Sequence, residues 1–172
     1  ATKTESPDTW PSAGQIIIKN LRLRYRSDLP LTLKELDLEV KPGEKLGIVG
    51  RTGAGKSSLF YILLGLIKPS SGLVLNYEKN IFDNLENWKK KIGYISQSIF
   101  LMDESIKKNI TFEYNDDNID NEKLEKAVHF SELTKKIKEL KEGINTLVGT
   151  NGIRLSGGER QRIAIARAIY RD

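Results

Sequence analysis

The residues from Gly50 to Ser58 read Gly-Arg-Thr-Gly-Ala-Gly-Lys-Ser-Ser and place Gly50, Gly55, Lys56 and Ser57 at the fixed positions of the phosphate-binding pattern G-x-x-x-x-G-K-[ST]. The residue types follow from the chemistry of holding an anion. Backbone N–H groups converge on a phosphate only where side chains leave room, which Gly50, Gly53 and Gly55 provide, with Arg51, Thr52 and Ala54 completing the wrap. The helix that would start behind the loop adds unpaired N–H groups, including those of Ser57 and Ser58, and the positive end of its dipole. Lys56 would reach the outer phosphates as a point charge, and the Ser57 hydroxyl is a hard oxygen ligand suited to Mg²⁺.

A second chemical stretch is Leu155-Ser156-Gly157-Gly158-Glu159-Arg160-Gln161, opening a helical run through Ile163, Ala164, Ile165, Ala166, Ala168 and Ile169. Ser156 and Glu159 have the spacing of a capping box, which explains both by local hydrogen bonding. The glycines need another reason. Each costs up to about 1 kcal/mol against alanine in a helix, which is easier to understand if a ligand must approach that backbone closely. An anion at the helix N-terminus is the natural candidate.

Elements must carry these stretches into position. The run Gln15 to Tyr25 is β-rich, and Leu31 to Val40 alternates through Leu31, Leu33, Leu36, Leu38 and Val40, which predicts paired strands. Lys41-Pro42-Gly43-Glu44 predicts a turn. The apolar run Leu46-Gly47-Ile48-Val49 predicts a strand feeding the loop. Ser58 to Ile67, apolar on nearly every face, predicts a buried helix stopped by Pro69-Ser70-Ser71-Gly72. Leu73-Val74-Leu75 and Ile92-Gly93-Tyr94-Ile95 predict short strands, with a helical connection from Phe82 to Lys91 between them. From Ser98 to Gly143 helices dominate, with Ser105, Asn121 and Ser131 as expected N-caps.

Composition narrows the classes. The chain has 172 residues, 38% apolar and 30% charged, with no cysteine, so disulfides and thiolate metal sites are excluded. No apolar run reaches the length of a membrane span. The net charge of +5 does not argue for nucleic acid, because lysines such as Lys89-Lys90-Lys91 and Lys135 to Lys141 are interleaved with acids, as on solvated helix faces. The single histidine, His129, falls on an expected helix and reads as a surface or half-buried residue rather than a ligand.

The phosphate loop, Gln97 after an expected strand, and Leu155 to Gln161 together resemble the nucleotide-binding domain of ATP-binding cassette (ABC) proteins, over Trp10 to Asp172. The entry Trp10-Pro11 and the loop resemble multidrug-resistance-associated exporters, and Ile92 to Ile110 with the signature resembles bacterial exporter domains. The resemblance implies an α/β fold: a P-loop NTPase (RecA-like) core with an N-terminal antiparallel β subdomain and an inserted α-helical subdomain over about 98–160. It implies that 1–14 is a linker from a membrane domain and 15–172 a partial ABC domain. Tyr25 matches the aromatic that stacks on adenine, and Gln97 the glutamine that senses Mg²⁺ and the γ-phosphate. Lys56 and Gln97 would act in hydrolysis, and Gly50 to Ser58 would hold ATP, with Ser57 and Gln97 at Mg²⁺. Ser156, Gly157, Gly158 and Glu159 would meet the nucleotide of a second, head-to-tail domain. Thr150 stands in Val148-Gly149-Thr150-Asn151-Gly152 where exporters often carry glutamate.

The resemblance further implies a transmembrane domain as partner, a place on the cytoplasmic face of a membrane, docking through the region after Gln97, and no nucleic acid. Phosphoryl transfer to water needs a carboxylate behind Mg²⁺ and a residue that positions the water. In this family both follow the signature, at the end of an apolar strand. No apolar run ending in Asp-Glu occurs after Leu155, so the chain is expected to be a piece stopping short of that strand, binding ATP weakly and hydrolysing it negligibly by itself. Two alternative readings are a non-transport ABC ATPase acting on DNA or ribosomes, whose long coiled-coil or basic insertions are not seen, and a nucleotide-binding module that never hydrolyses. A kinase with the same loop would have no use for Leu155 to Gln161.

Overall fold

The computed structural model describes residues 14–171, so Trp10, the Trp10-Pro11 entry and all but the last residue of the expected linker lie outside the described residues. The chain divides after Ile92 into two compact units.

In the first unit, β1 (Ile16–Leu23) lies between β2 (Leu33–Val40) and β3 (Ser71–Asn76), and β4 (Lys79–Asn80) folds back on β3; every pairing is antiparallel. The expected pairing of the first two runs is therefore present. Its alternation is imperfect for a physical reason. Ile18 and Leu21 are three residues apart yet both buried, because the register shifts between them, where Asn20 turns left-handed at φ 49°. The 41–44 turn closes with the Glu44 N–H donating to the Lys41 carbonyl at 3.0 Å, with Gly43 at φ +76°.

Helix α1 (Lys56–Leu63) lays Leu59 and Ile62 into a core with Ile18, Leu21, Leu23, Leu33, Val74, Ile81 and Trp88. Trp88, on α2 (Leu85–Lys90), donates its indole N–H to the Leu63 carbonyl at 2.6 Å. Two expectations about α1 need correction. It is buried on one face only, since Phe60 and Tyr61 are exposed, and it ends well before Pro69. The stop is a Schellman motif: Leu66 N–H donates to the Tyr61 carbonyl and Gly65 N–H to that of Ile62, with Gly65 at φ +66°. A Cβ there would lie 2.6 Å from Leu85 Cδ2, so glycine is required by both conformation and space.

The strands expected at Leu46 to Val49 and Ile92 to Ile95 are not formed. A strand exists only through a ladder, and among the described residues neither run has one. Ile48 and Ile92 are half-buried against the first core, whereas Leu46, Val49, Tyr94 and Ile95 are exposed, Val49 at 92%.

The second unit is helical: α3 (Ile106–Thr111), α4 (Asn121–Phe130), α5 (Thr134–Glu139) and α6 (Gly157–Tyr170). Its core joins Leu101, Ile106, Ile110, Leu124, Ala127, Leu133, Val148, Ile163 and Ala166. Ser105 caps α3 as expected, accepting from the Lys108 N–H. The other two caps shift. Asp120, one residue earlier than Asn121, caps α4 by accepting from the Lys123 N–H, as a carboxylate at a positive helix end favours. Ser131 closes α4 instead of opening α5, which has no side-chain cap. Among the described residues no helix is long and apolar enough to cross a membrane.

Buried Asn109 organises this unit. Its Nδ2 donates to the carbonyls of Met102 and Ser105 at 3.0 Å, and its Oδ1 accepts from the Met102 N–H at 2.9 Å. Arg167 of α6 clamps the same point, donating to Asn109 Oδ1 at 2.9 Å and to the Phe100 carbonyl at 2.7 Å. Burial pushes its guanidinium below the usual arginine range.

Candidate functional site

The phosphate loop, exposed from Gly50 to Ala54 and buried at Gly55, leads into α1, whose N-terminus has neither a side-chain cap nor an acidic residue in its first turn. The first N–H groups and the positive helix end therefore face the loop without neutralisation from α1 itself. Gly55, the N-cap, is left-handed at φ +88°, and a Cβ on it would sit 2.7 Å from Leu33 Cδ2 and 3.1 Å from the Thr32 carbonyl. Lys56 folds back over the loop, its Nζ donating to the Gly50 carbonyl at 2.7 Å and the Arg51 carbonyl at 2.9 Å. The ammonium is thus held above the ring of backbone that would surround a phosphate. Of the two serines, Ser57 is exposed, whereas Ser58 is buried.

Tyr25 lies two residues past β1 and is half-exposed, at 50%. Its hydroxyl shares a 2.8 Å hydrogen bond with the Ser58 hydroxyl, so the ring is tied to the first turn of α1. It borders a cleft of about 450 Å³ that Arg22, Arg24 and Arg26 also line. Those arginines were not singled out from sequence; their alternation around Tyr25 was the available signal.

In the second unit, Ser156 caps α6, and both halves of the capping box are made: Ser156 Oγ accepts from the Glu159 N–H at 3.3 Å, and Glu159 Oε2 accepts from the Ser156 N–H at 2.8 Å. Gly157 and Gly158 are exposed, and a Cβ at either meets nothing within 4 Å. Internal packing therefore does not require either of them to be glycine. Gln97 and Gly157 line one cleft of about 490 Å³ together with Ser96, Asn151, Arg160 and Gln161.

The Lys136 ammonium, 2.8 Å from Glu159 Oε1, holds that carboxyl below its usual range, and the Ser156 N–H helps; Glu159 in turn raises the lysine. Thr150, at the position where glutamate was expected, donates its hydroxyl to Asp103 Oδ2 at 3.2 Å. His129 is an exposed residue at the end of α4, edge-on to Phe130 at 5.4 Å.

The structure thus gathers Tyr25 and Lys56 to Ser58 around one helix start, and Gln97 and Ser156 to Glu159 around another. Sequence reasoning missed Lys136, whose pairing with Glu159 spans two helices and leaves no local pattern. It also missed Asn109 and Arg167.

A family model described as ABC transporter matches residues 33–172. The leukotoxin translocation ATP-binding protein LktB of Mannheimia glucosida is 41% identical over 160 residues, covering 92% of this chain and 22% of that protein. The LktB protein of Bibersteinia trehalosi matches to the same extent, 41% over 160 residues. Among solved structures, a bacterial Atm1-family ABC exporter with ATP bound superposes with a TM-score of 0.85 at 28% identity, across 100% of this chain and 30% of that one. The chain spans less than a third of the length of each of these proteins.

Proposed function

The chain belongs to the ABC transporter family, and on that premise we propose that it is the ATP-binding and ATP-hydrolysing part of an exporter, working at the cytoplasmic face of a membrane. What carries the reading is the pair of helix starts open to an anion: α1, uncapped behind the Gly50 to Gly55 loop, and α6, with two glycines that nothing inside the protein needs.

In this reading Gly50 to Ser58 hold the phosphates of ATP, with Lys56 exchanging its loop carbonyls for phosphate oxygens. The exposed Ser57 hydroxyl is the oxygen that fits Mg²⁺, and the bound ion would offset phosphate charge. Tyr25 stacks on the base. Ser156, Gly157, Gly158 and Glu159 meet the nucleotide of a second domain arranged head to tail, so ATP favours the closed pair and its loss reopens it. A transmembrane domain docks on the segment after Gln97, where Phe100 is 66% exposed. Residues 1–14 link to that domain, 15–172 belong to the ATP-binding domain, and about 98–160 form its helical subdomain.

The test is binding of a fluorescent ATP analogue to the full-length protein. Lys56→Ala should weaken it by at least about tenfold, the scale of a lost charge-assisted contact. Unchanged binding would sink the reading.

A further inference from the structure

The two helix starts differ in charge. The first turn of α1 carries no acidic residue, whereas that of α6 carries Glu159, and the capping box aims its carboxylate at the Ser156 N–H. The box stabilises the helix. It also sets a full negative charge among the N–H groups that a phosphate would use, and an uncompensated carboxylate repels a second anion.

Lys136 of α5 compensates it. Its Nζ lies 2.8 Å from Glu159 Oε1 while Oε2 holds the Ser156 N–H at 2.8 Å, so both carboxylate oxygens are engaged and the rotamer is fixed. The side chains keep 30% and 19% of their exposure, on the same surface as open Gly157 and Gly158. Of the arginines in that part of α6, Arg162 lies 3.7 Å from Glu132.

We propose that Lys136 is a positioning residue of the α6 half-site: by neutralising and orienting Glu159, it lets the Ser156-Gly157-Gly158 turn accept the γ-phosphate of ATP. This rests on the functional reading above. The glutamate keeps the helix end capped, and the lysine keeps the capped end attractive to an anion.

The experiment is steady-state hydrolysis of MgATP by the full-length protein, comparing wild type, Lys136→Gln, Lys136→Arg, Glu159→Gln and the double variant K136Q/E159Q. K136Q should raise KM for ATP about fivefold with kcat within about twofold, as expected for a charge acting near a solvated site. The rise should shrink between about 0.05 and 0.5 M salt, and K136R should restore the wild-type value. In the Glu159→Gln background K136Q should raise KM clearly less, because glutamine keeps the capping acceptor and leaves no carboxylate for the lysine to orient or offset. A wild-type KM in K136Q, or the same rise in both backgrounds, overturns the proposal. Gly157→Asp separates this from the underlying reading: a Cβ there meets nothing, so if G157D hydrolyses ATP like wild type, the signature turn does not touch phosphate at all.

Discussion

Tyr25 carries two separable roles in one side chain. Tyr25→Phe removes the hydroxyl bond to buried Ser58 but keeps the ring, so the unfolding free energy should fall by about 1 kcal/mol while affinity for ATP stays within about threefold. Tyr25→Ala removes the stacking face and should cost about 1–3 kcal/mol in nucleotide binding. Equal affinity losses in both variants, measured by analogue titration beside urea unfolding, would contradict the stacking role. Glu159 makes a pH prediction. Its carboxyl is held low in the folded chain, chiefly by Lys136, so its contribution is complete above the ordinary glutamate range and is lost as pH falls through the lower folded value. The stability difference between wild type and Glu159→Gln should therefore be flat near neutrality and vanish in acid; a difference that grew on acidification would reverse the sign. At this scale the sequence was most legible where chemistry is local. The phosphate loop and the capping box lie within nine residues or fewer and could be read directly, whereas Lys136 reaches Glu159 only through the packing of helices.

Among elements, legibility tracked how each one ends and what it pairs with. The ends of α1 and α4 were misread because the deciding features were a left-handed glycine and an aspartate one position upstream, both ordinary residues until the backbone is seen. Gly65→Ala should lower stability by more than about 1 kcal/mol, through the φ +66° strain and the crowding by Leu85. Differential scanning calorimetry decides it, and an unchanged or raised melting point would contradict the Schellman assignment. Asn109→Ala should be more severe, on the order of 3 kcal/mol, because it strands the Met102 N–H and one donor of Arg167, which both point at its Oδ1, while the Met102 and Ser105 carbonyls keep only their backbone donors. A loss below about 1 kcal/mol in chemical denaturation would show that water replaces the amide. The unformed strands at 46–49 and 92–95 mark the limit of pattern reading: their composition is that of strands buried on two faces, but composition specifies no partner.

For the whole molecule, those open runs predict behaviour in solution. Leu46, Val49, Tyr94 and Ile95 are all exposed, and apolar extended backbone without a ladder invites pairing with another chain. The 172-residue chain should associate with rising concentration in sedimentation velocity, and a monomer from about 1 to 100 μM would contradict this. The family, its α/β class and its antiparallel β region followed from the sequence because two spaced motifs and one alternating pair of runs suffice for them. The division after Ile92 did not, since it depends on which residues share a core. That division bears on biosynthesis. Every residue of the first core, from Ile18 to Trp88, is already in the nascent chain when Ile92 is added, whereas the second core waits for α6. At about 5–20 residues per second, the remaining stretch takes several seconds to make, so the part carrying the phosphate loop has time to fold before the signature helix exists. Synonymous codons that slow or hasten translation just past Ile92 would then change the yield of folded protein without changing any residue.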